Sequence, residues 1–248
     1  MNELVESRTP IVRCCGLGKQ FGGKVALDNV DLELNRGRII GLLGPNGSGK
    51  TTLIKLLCGL LQPSTGFLMV DGREPGVYTK SVTAYLPDRM YFADWMRAGD
   101  LVDLFSDFYA DFDRKKCTSI CGELGIGPRD RIKSMSKGTK EKLQLSLVMS
   151  RNAKLYLLDE PIAGVDPAAR DFILSTILSN YNEDGTVLIS THLISDIERV
   201  LDEAVFLKGG RVVRHESVDS IRETEGKSVD ALFREIFKTH PVEGGEWK

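Results

Sequence analysis

The sequence predicts an α/β fold in which a parallel-sheet core carries an antiparallel β-layer at its amino end and an inserted α-helical lobe. Three patterns point to it. Short apolar runs at 38–43, 155–158 and 186–189 do not alternate with polar residues, as expected of strands covered on both faces. Residues 11–34 do alternate, the mark of strands with one buried face. From 97 to 149 apolar residues return at helical spacing. The expected divisions are therefore 1–96 for the β-layer and first part of the core, 97–150 for the lobe, 151–215 for the second part of the core and 216–248 for a helical tail.

Within 11–34, Val25, Leu27, Val30, Leu32 and Leu34 form the buried face, and Gly22-Gly23 breaks the run into short antiparallel strands. The run 38–43 stops at a glycine and is followed by Leu53, Ile54, Leu56, Leu57 and Leu60 at helical spacing, so the order is strand, glycine-rich loop, helix. In the lobe the helical stripe is Leu101, Leu104, Phe105, Phe108 and Phe112. After Val213 the chain becomes charged. Val229, Leu232, Phe233, Ile236 and Phe237 then mark an amphipathic helix before a polar end, a tail too short for a separate domain.

A length of 248 residues suffices for one core with a lobe. Lys and Arg number 33 against 35 Asp and Glu, and a net charge of -2 provides no broad footprint for nucleic acid or anionic lipid. The five cysteines, Cys14, Cys15, Cys58, Cys117 and Cys121, lack the paired spacing and neighbouring histidines of a zinc site and suit a reducing, cytoplasmic compartment. Cys117 and Cys121 share a helix face, where burial as small apolar residues outweighs metal binding. The segment MNELVESRTP has acids and no apolar run, unlike a secretory signal. No stretch approaches the ~18 apolar residues of a spanning helix, so work at a membrane implies docking onto other proteins' helices.

The residues Gly44-Pro45-Asn46-Gly47-Ser48-Gly49-Lys50-Thr51, with Thr52 after them, lie between the predicted strand and helix. Glycines let the backbone curl so that N–H groups and the helix's positive end face phosphates; Lys50 adds a point charge, and the Thr51 hydroxyl is placed to ligate magnesium. ATP or GTP binding follows, although such loops serve kinases, switches and motors alike. The strand 155–158 runs into Asp159-Glu160, whose side chains point in different directions. Asp159 can hold the magnesium shell, while Glu160 can orient or deprotonate an attacking water.

Further motifs come in a fixed order: Ser136-Lys137-Gly138 before a helix, Asp159-Glu160, Gly164-Val165-Asp166-Pro167, and His192 closing a strand. Together with the phosphate loop this order resembles the nucleotide-binding domain of ATP-binding cassette (ABC) transporters, over about residues 11–215. The resemblance implies a RecA-like P-loop NTPase core using ATP and Mg2+. It also implies that Ser136 and Gly138, in the signature segment usually written LSGGQ, meet the γ-phosphate held by a second subunit; a helix cap or turn is the competing reading of the same residues. Lys137 replaces the first signature glycine, facing either a phosphate or solvent. In Tyr85-Leu86-Pro87-Asp88 the last residue stands where the family has glutamine, so Asp88 is expected at the metal and the reacting water, against the alternative of a loop aspartate. Phe21 falls where the family stacks an aromatic ring on adenine, with a core phenylalanine at the layer's edge as the other account. His192 corresponds to a γ-phosphate hydrogen-bond partner and Asp166 to the dimer seam.

The resemblance further implies two ATP-binding subunits, identical or not, closing face to face, with separate transmembrane permease subunits as partners and a place at the cytoplasmic face of the cell membrane. The exporter ATPases of the ABC-2 type in bacteria offer the nearest likeness. Tyr91, Phe92 and Trp95 either line a docking groove for the permease or pack the lobe against the core. A soluble ABC ATPase acting on nucleic acid or ribosomes is the alternative, but one cassette without extended heptads or basic excess argues against it, and no nucleic acid is expected.

Overall fold

The computed structural model describes residues 9–238; the readings made on the extreme amino terminus and on the polar end of the tail fall on 1–8 and 239–248, outside the described residues. Strands β1 (Val12–Phe21) and β2 (Lys24–Leu34) form a hairpin that turns at Gly22-Gly23 with Phe21 paired to Lys24. Strand β4 (Thr65–Val70) pairs with the other edge of β1, giving an antiparallel layer of order β2-β1-β4. Leu27, Val30, Leu32 and Leu34 are buried as expected, whereas Val25 is exposed. The three-residue step from Leu27 to Val30 breaks strict alternation. It is absorbed at Asn29, which has φ 49°, where the register against β1 shifts between Leu17 and Lys19.

The core sheet has the order β5-β6-β7-β3-β8-β9. Its central strands β3 (Ile39–Leu43), β6 (Leu155–Asp159) and β7 (Thr186–Thr191) are buried at every residue. They pair in parallel with one another, with β5 (Thr83–Leu86) and with β8 (Glu203–Lys208), while β9 (Arg211–Ser217) is antiparallel at the edge. One sheet face packs with the β-layer and helix α1 (Lys50–Leu57) around Leu42, Leu53, Leu157 and Leu188. The other face packs around Tyr156, Leu158 and Phe206, against helices that follow the later strands. Leu60 lies beyond the end of α1 and is exposed, so it does not belong to that helix's buried stripe.

A short helix α2 (Val77–Ser81) leads into β5. The lobe is built from α3 (Ala98–Phe108), α4 (Arg114–Glu123) and α5 (Lys137–Met149) around a small core of its own. On α3 the buried stripe is Ala98, Leu101, Val102 and Phe105, spaced i, i+3, i+4 and i+7. Leu104 and Phe108 are exposed instead, and Phe112 lies past the helix end, where its ring packs 5.6 Å from that of Phe105. The expected stripe thus merged two helix faces and a loop residue. Cys117 and Cys121 are buried in this small core on α4.

Helix α6 (Pro167–Asn180) follows the 160–166 turn and α7 (Ile194–Ile197) follows β7. The tail folds back as α8 (Val218–Glu225) and α9 (Val229–Ile236), capped by the hydroxyls of Ser217 and Ser228. Val218, Ile221, Val229 and Leu232 join the main core, and β9 runs across the expected division at 215. Among the described residues no helix is long and apolar enough to cross a membrane.

Candidate functional site

Residues 44–49 leave the carboxyl end of β3 and deliver the chain into α1, whose first residue is Lys50. Two glycines make this turn possible. At Gly49 φ is 111°, and a Cβ there would lie 2.7 Å from the Ala26 carbonyl oxygen; at Gly44 a Cβ would lie 2.4 Å from the Leu207 carbonyl oxygen. Asn46, Gly47, Gly49, Lys50, Thr51 and Thr52 then line a cavity of about 370 Å³ with Phe21, Asp88 and Glu160 on its other walls. Phe21 is 47% exposed at the end of β1, with the Lys19 ammonium 5.0 Å from its ring centre, so it is not a core residue. Lys24 and Ala26 of β2 complete the wall and were not singled out from sequence.

Lys50 is 5% exposed. Its Nζ donates to the carbonyls of Gly44 (2.7 Å) and Pro45 (3.3 Å) and pairs with Glu160 Oε1 at 3.1 Å. Ser48 N–H donates to the Pro45 carbonyl, and its buried hydroxyl has no partner among the described residues.

Strand β6 ends between the two carboxylates. Asp159 is fully buried: its Oδ1 accepts from the hydroxyls of Ser190 (2.6 Å) and Thr51 (3.1 Å), while Oδ2 has no partner among the described residues. Glu160 turns the chain at φ 52°, in the left-handed region. Its N–H donates to both the carbonyl and the hydroxyl of Ser190, and its Oε2 lies 3.0 Å from His192 Nδ1. Ser190 therefore holds both residues, Asp159 by its carboxylate and Glu160 by its backbone N–H. It escaped sequence reading because its role depends on the β6/β7 register, which sets Asp159 opposite Ser190.

Burial pushes the Asp159 carboxyl up; hydrogen bonds from Ser190 and Thr51 offset part of this, and the charges of Asp88 and Glu160 add to it. A buried orphan oxygen beside a hydroxyl, with like charges around it, fits a hard divalent cation. Among the described residues no cluster of three or more His, Cys, Asp or Glu is arranged to hold a metal. The donors fit a cation that brings phosphate oxygens with it. Asp88 is 40% exposed at its side chain and its Oδ2 lies 3.8 Å from Arg89 Nε.

Ser136, Lys137, Gly138 and Asp166 come together at a different cavity, of about 350 Å³, lined also by Gly164 and Val165. Ser136 caps α5, its hydroxyl accepting from Thr139 N–H at 3.2 Å, so the cap reading of this serine holds. The Lys137 side chain is 76% exposed, lies 3.7 Å from Glu141 and reaches over Gly164, where a Cβ would meet Nζ at 3.5 Å. None of these four residues lines the phosphate-loop cavity. Tyr91 and Trp95 are exposed, while Phe92 packs edge-on against Phe105 at 6.1 Å within the lobe's own small core.

A family model described as ABC transporter matches residues 27–163. YxlF, an uncharacterised ABC transporter ATP-binding protein of Bacillus subtilis, is 30% identical over 87% of this chain and 74% of its own length. SrtF, a lantibiotic transport ATP-binding protein of Streptococcus pyogenes, is 27% identical over 84% of this chain and 92% of its own. A solved ATP-binding subunit of an ABC transporter superposes with a TM-score of 0.83 at 26% identity, covering 92% of this chain and all of that one.

Proposed function

This chain belongs to the ABC transporter family as an ATP-binding subunit and ATPase, and on that premise we propose how its residues divide the work. ATP binds with its phosphates in the loop from Gly44 to Thr51 and its adenine on Phe21. Glu160 takes a proton from water as the water oxygen attacks the γ-phosphorus; the bond to the β–γ bridging oxygen breaks, leaving ADP and phosphate. Thr51 and Asp159 would hold Mg2+, with Asp88 facing its shell, and the ion would supply charge that neutralises the phosphates. The observation that carries this reading is Glu160, fixed on the loop cavity between Lys50 and His192 at 3.1 and 3.0 Å.

The Lys50 pairing implies an order of events. A γ-phosphate entering the loop competes with Glu160 for the Lys50 ammonium, and the carboxylate it displaces becomes free to take a water proton. His192 remains to steady Glu160 or to contact the γ-phosphate.

The signature residues lie at a separate cavity from the loop, which supports two chains closing face to face so that Ser136, Lys137 and Gly138 of one reach the nucleotide of the other, with Asp166 at the seam. Closure and reopening then drive separate membrane-spanning subunits from the cytoplasmic face of the cell membrane, in the direction of export. Their docking groove is lined by Leu57, Leu60, Tyr85, Tyr91, Tyr109 and Arg151, a cleft between core and lobe. The test is Glu160→Gln: nucleotide binding is retained, turnover falls by about 10²–10⁴-fold and a closed pair accumulates in light scattering. Undiminished hydrolysis overturns the assignment. For the transport arm, affinity capture from native membranes recovers a multi-span protein, and reconstituted vesicles report direction.

A further inference from the structure

Beneath α5 lies a cavity of about 320 Å³ that the reaction as described does not use. Lys137, Lys140, Glu141 and Gln144, one face of α5 at i, i+3, i+4 and i+7, form one wall; Asp88 and Glu160 stand opposite. Gln144 is 3% exposed, and its amide Nε2 has no hydrogen-bond partner among the described residues. A buried amide donor without an acceptor is costly, so a working position for one is expected nearby.

Three carboxylates line the cavity. Glu160 is engaged at both oxygens by Lys50 and His192. Glu141 pairs with Lys137 on its own helix. Asp88 differs from both: its contact with the exposed Arg89 is long, and it sits in the irregular stretch between β5 and α3. Like Glu160, it lines both cavities, this one and that of the phosphate loop, but unlike Glu160 it is not held by close partners on both oxygens.

We propose that Gln144 is a positioning residue, the alternative seat for the Asp88 carboxylate: facing the loop, Asp88 serves the Mg2+–nucleotide site, and turned toward the lobe it accepts from the Gln144 amide. Because Gln144 is fixed on α5, the helix that Ser136 caps, the exchange ties nucleotide occupancy to the position of the lobe. The inference rests on the proposed role of Asp88 at the metal shell and goes beyond it in naming where that carboxylate goes.

Removing the amide while keeping the volume, with Gln144→Leu, leaves Asp88 without its second seat. Binding of a fluorescent ATP analogue, titrated with Mg2+ at fixed nucleotide, then half-saturates at about 10-fold lower Mg2+, the effect of one hydrogen bond to a charged group. Gln144→Glu, which repels Asp88 from the seat, moves it the same way. In the Asp88→Ala background neither substitution changes the Mg2+ dependence. An equal shift in both backgrounds, or none with Asp88 present, overturns the proposal. Absence of analogue binding by the unsubstituted chain at saturating Mg2+ would instead overturn the reading of the loop, so the two failures are distinct.

Discussion

Asp159 and Glu160 are sequence neighbours with opposite surroundings, because β6 ends between them. Asp159 is buried at the carboxyl end of β6 with one oxygen held by Ser190 and Thr51, whereas Glu160 swings into the loop cavity through a left-handed backbone. Ser190→Ala removes the hydroxyl that Asp159 accepts from and that the Glu160 N–H reaches. Losing such a supporting contact lowers turnover by about 10–100-fold, with nucleotide affinity held, as steady-state hydrolysis and equilibrium binding will show. The loop and both carboxylates were legible because their meaning is carried by local spacing. Ser190 and Gln144 were not, since a serine in a strand and a glutamine in a helix acquire roles only from what the fold sets beside them.

Among the elements, the β-layer is latched to the core at Asp71, at the end of β4. Its carboxylate accepts from Arg36, from Lys154 at 2.9 Å and from Tyr78. Burial alone would push its carboxyl up, but the hydrogen bonds of Tyr78, Lys154 and Arg36 hold it at about 2, below the ordinary 3.8. The stability it contributes is therefore complete above pH 3.8 and lost as pH falls through about 2. Asp71→Asn lowers stability by about 2 kcal/mol near neutrality and flattens its pH dependence in that acid window, measured as urea midpoints.

The cap of α5 separates two roles of one serine. Ser136→Asp preserves the N-cap, since aspartate accepts from the same N–H, but adds an anion where a phosphate is to be met. Melting temperature is retained while hydrolysis is lost; a parallel loss of both would leave only the cap. In the lobe core, Phe105→Ala removes a ring within 6.1 Å of Phe92 and 5.4 Å of Tyr109 and costs about 3–5 kcal/mol, read by thermal unfolding. Strands β4, β5, β8 and β9 did not stand out in the sequence. Strand β5 has four residues; β8 does hold a buried apolar run, Ala204 to Leu207, but only between the charged Glu203 and Lys208; and β9 carries Arg211 and Arg214 at the sheet edge with none of its residues fully buried, so no alternation marks it.

At the scale of the whole molecule, the loop cavity and the signature cavity are lined by different residues of one chain, and on the proposed face-to-face closure each chain holds half of two sites. Chains carrying Glu160→Gln and chains carrying Ser136→Asp are each inactive alone. Mixed, they pair an intact loop site of one with an intact signature of the other, and hydrolysis reappears. A site complete within one chain yields no recovery. The fold class was readable because the buried central strands announce a parallel core, while the expected two-chain assembly of the site came from the family resemblance alone, because no local spacing carries it.

The left-handed turn at Glu160 has a consequence for how the activity endures over generations. At φ 52° asparagine and glycine sit at lower backbone cost than glutamate. Replacing Glu160 by either relieves the turn and leaves Lys50 its two loop carbonyls. On the proposed role of Glu160, such a chain has lost its water-activating group yet presents nothing unfolded to the proteases that cull defective proteins. Catalysis at this position is guarded by the demand for transport alone, and where that demand lapses a folded, nucleotide-holding but idle descendant is the natural outcome.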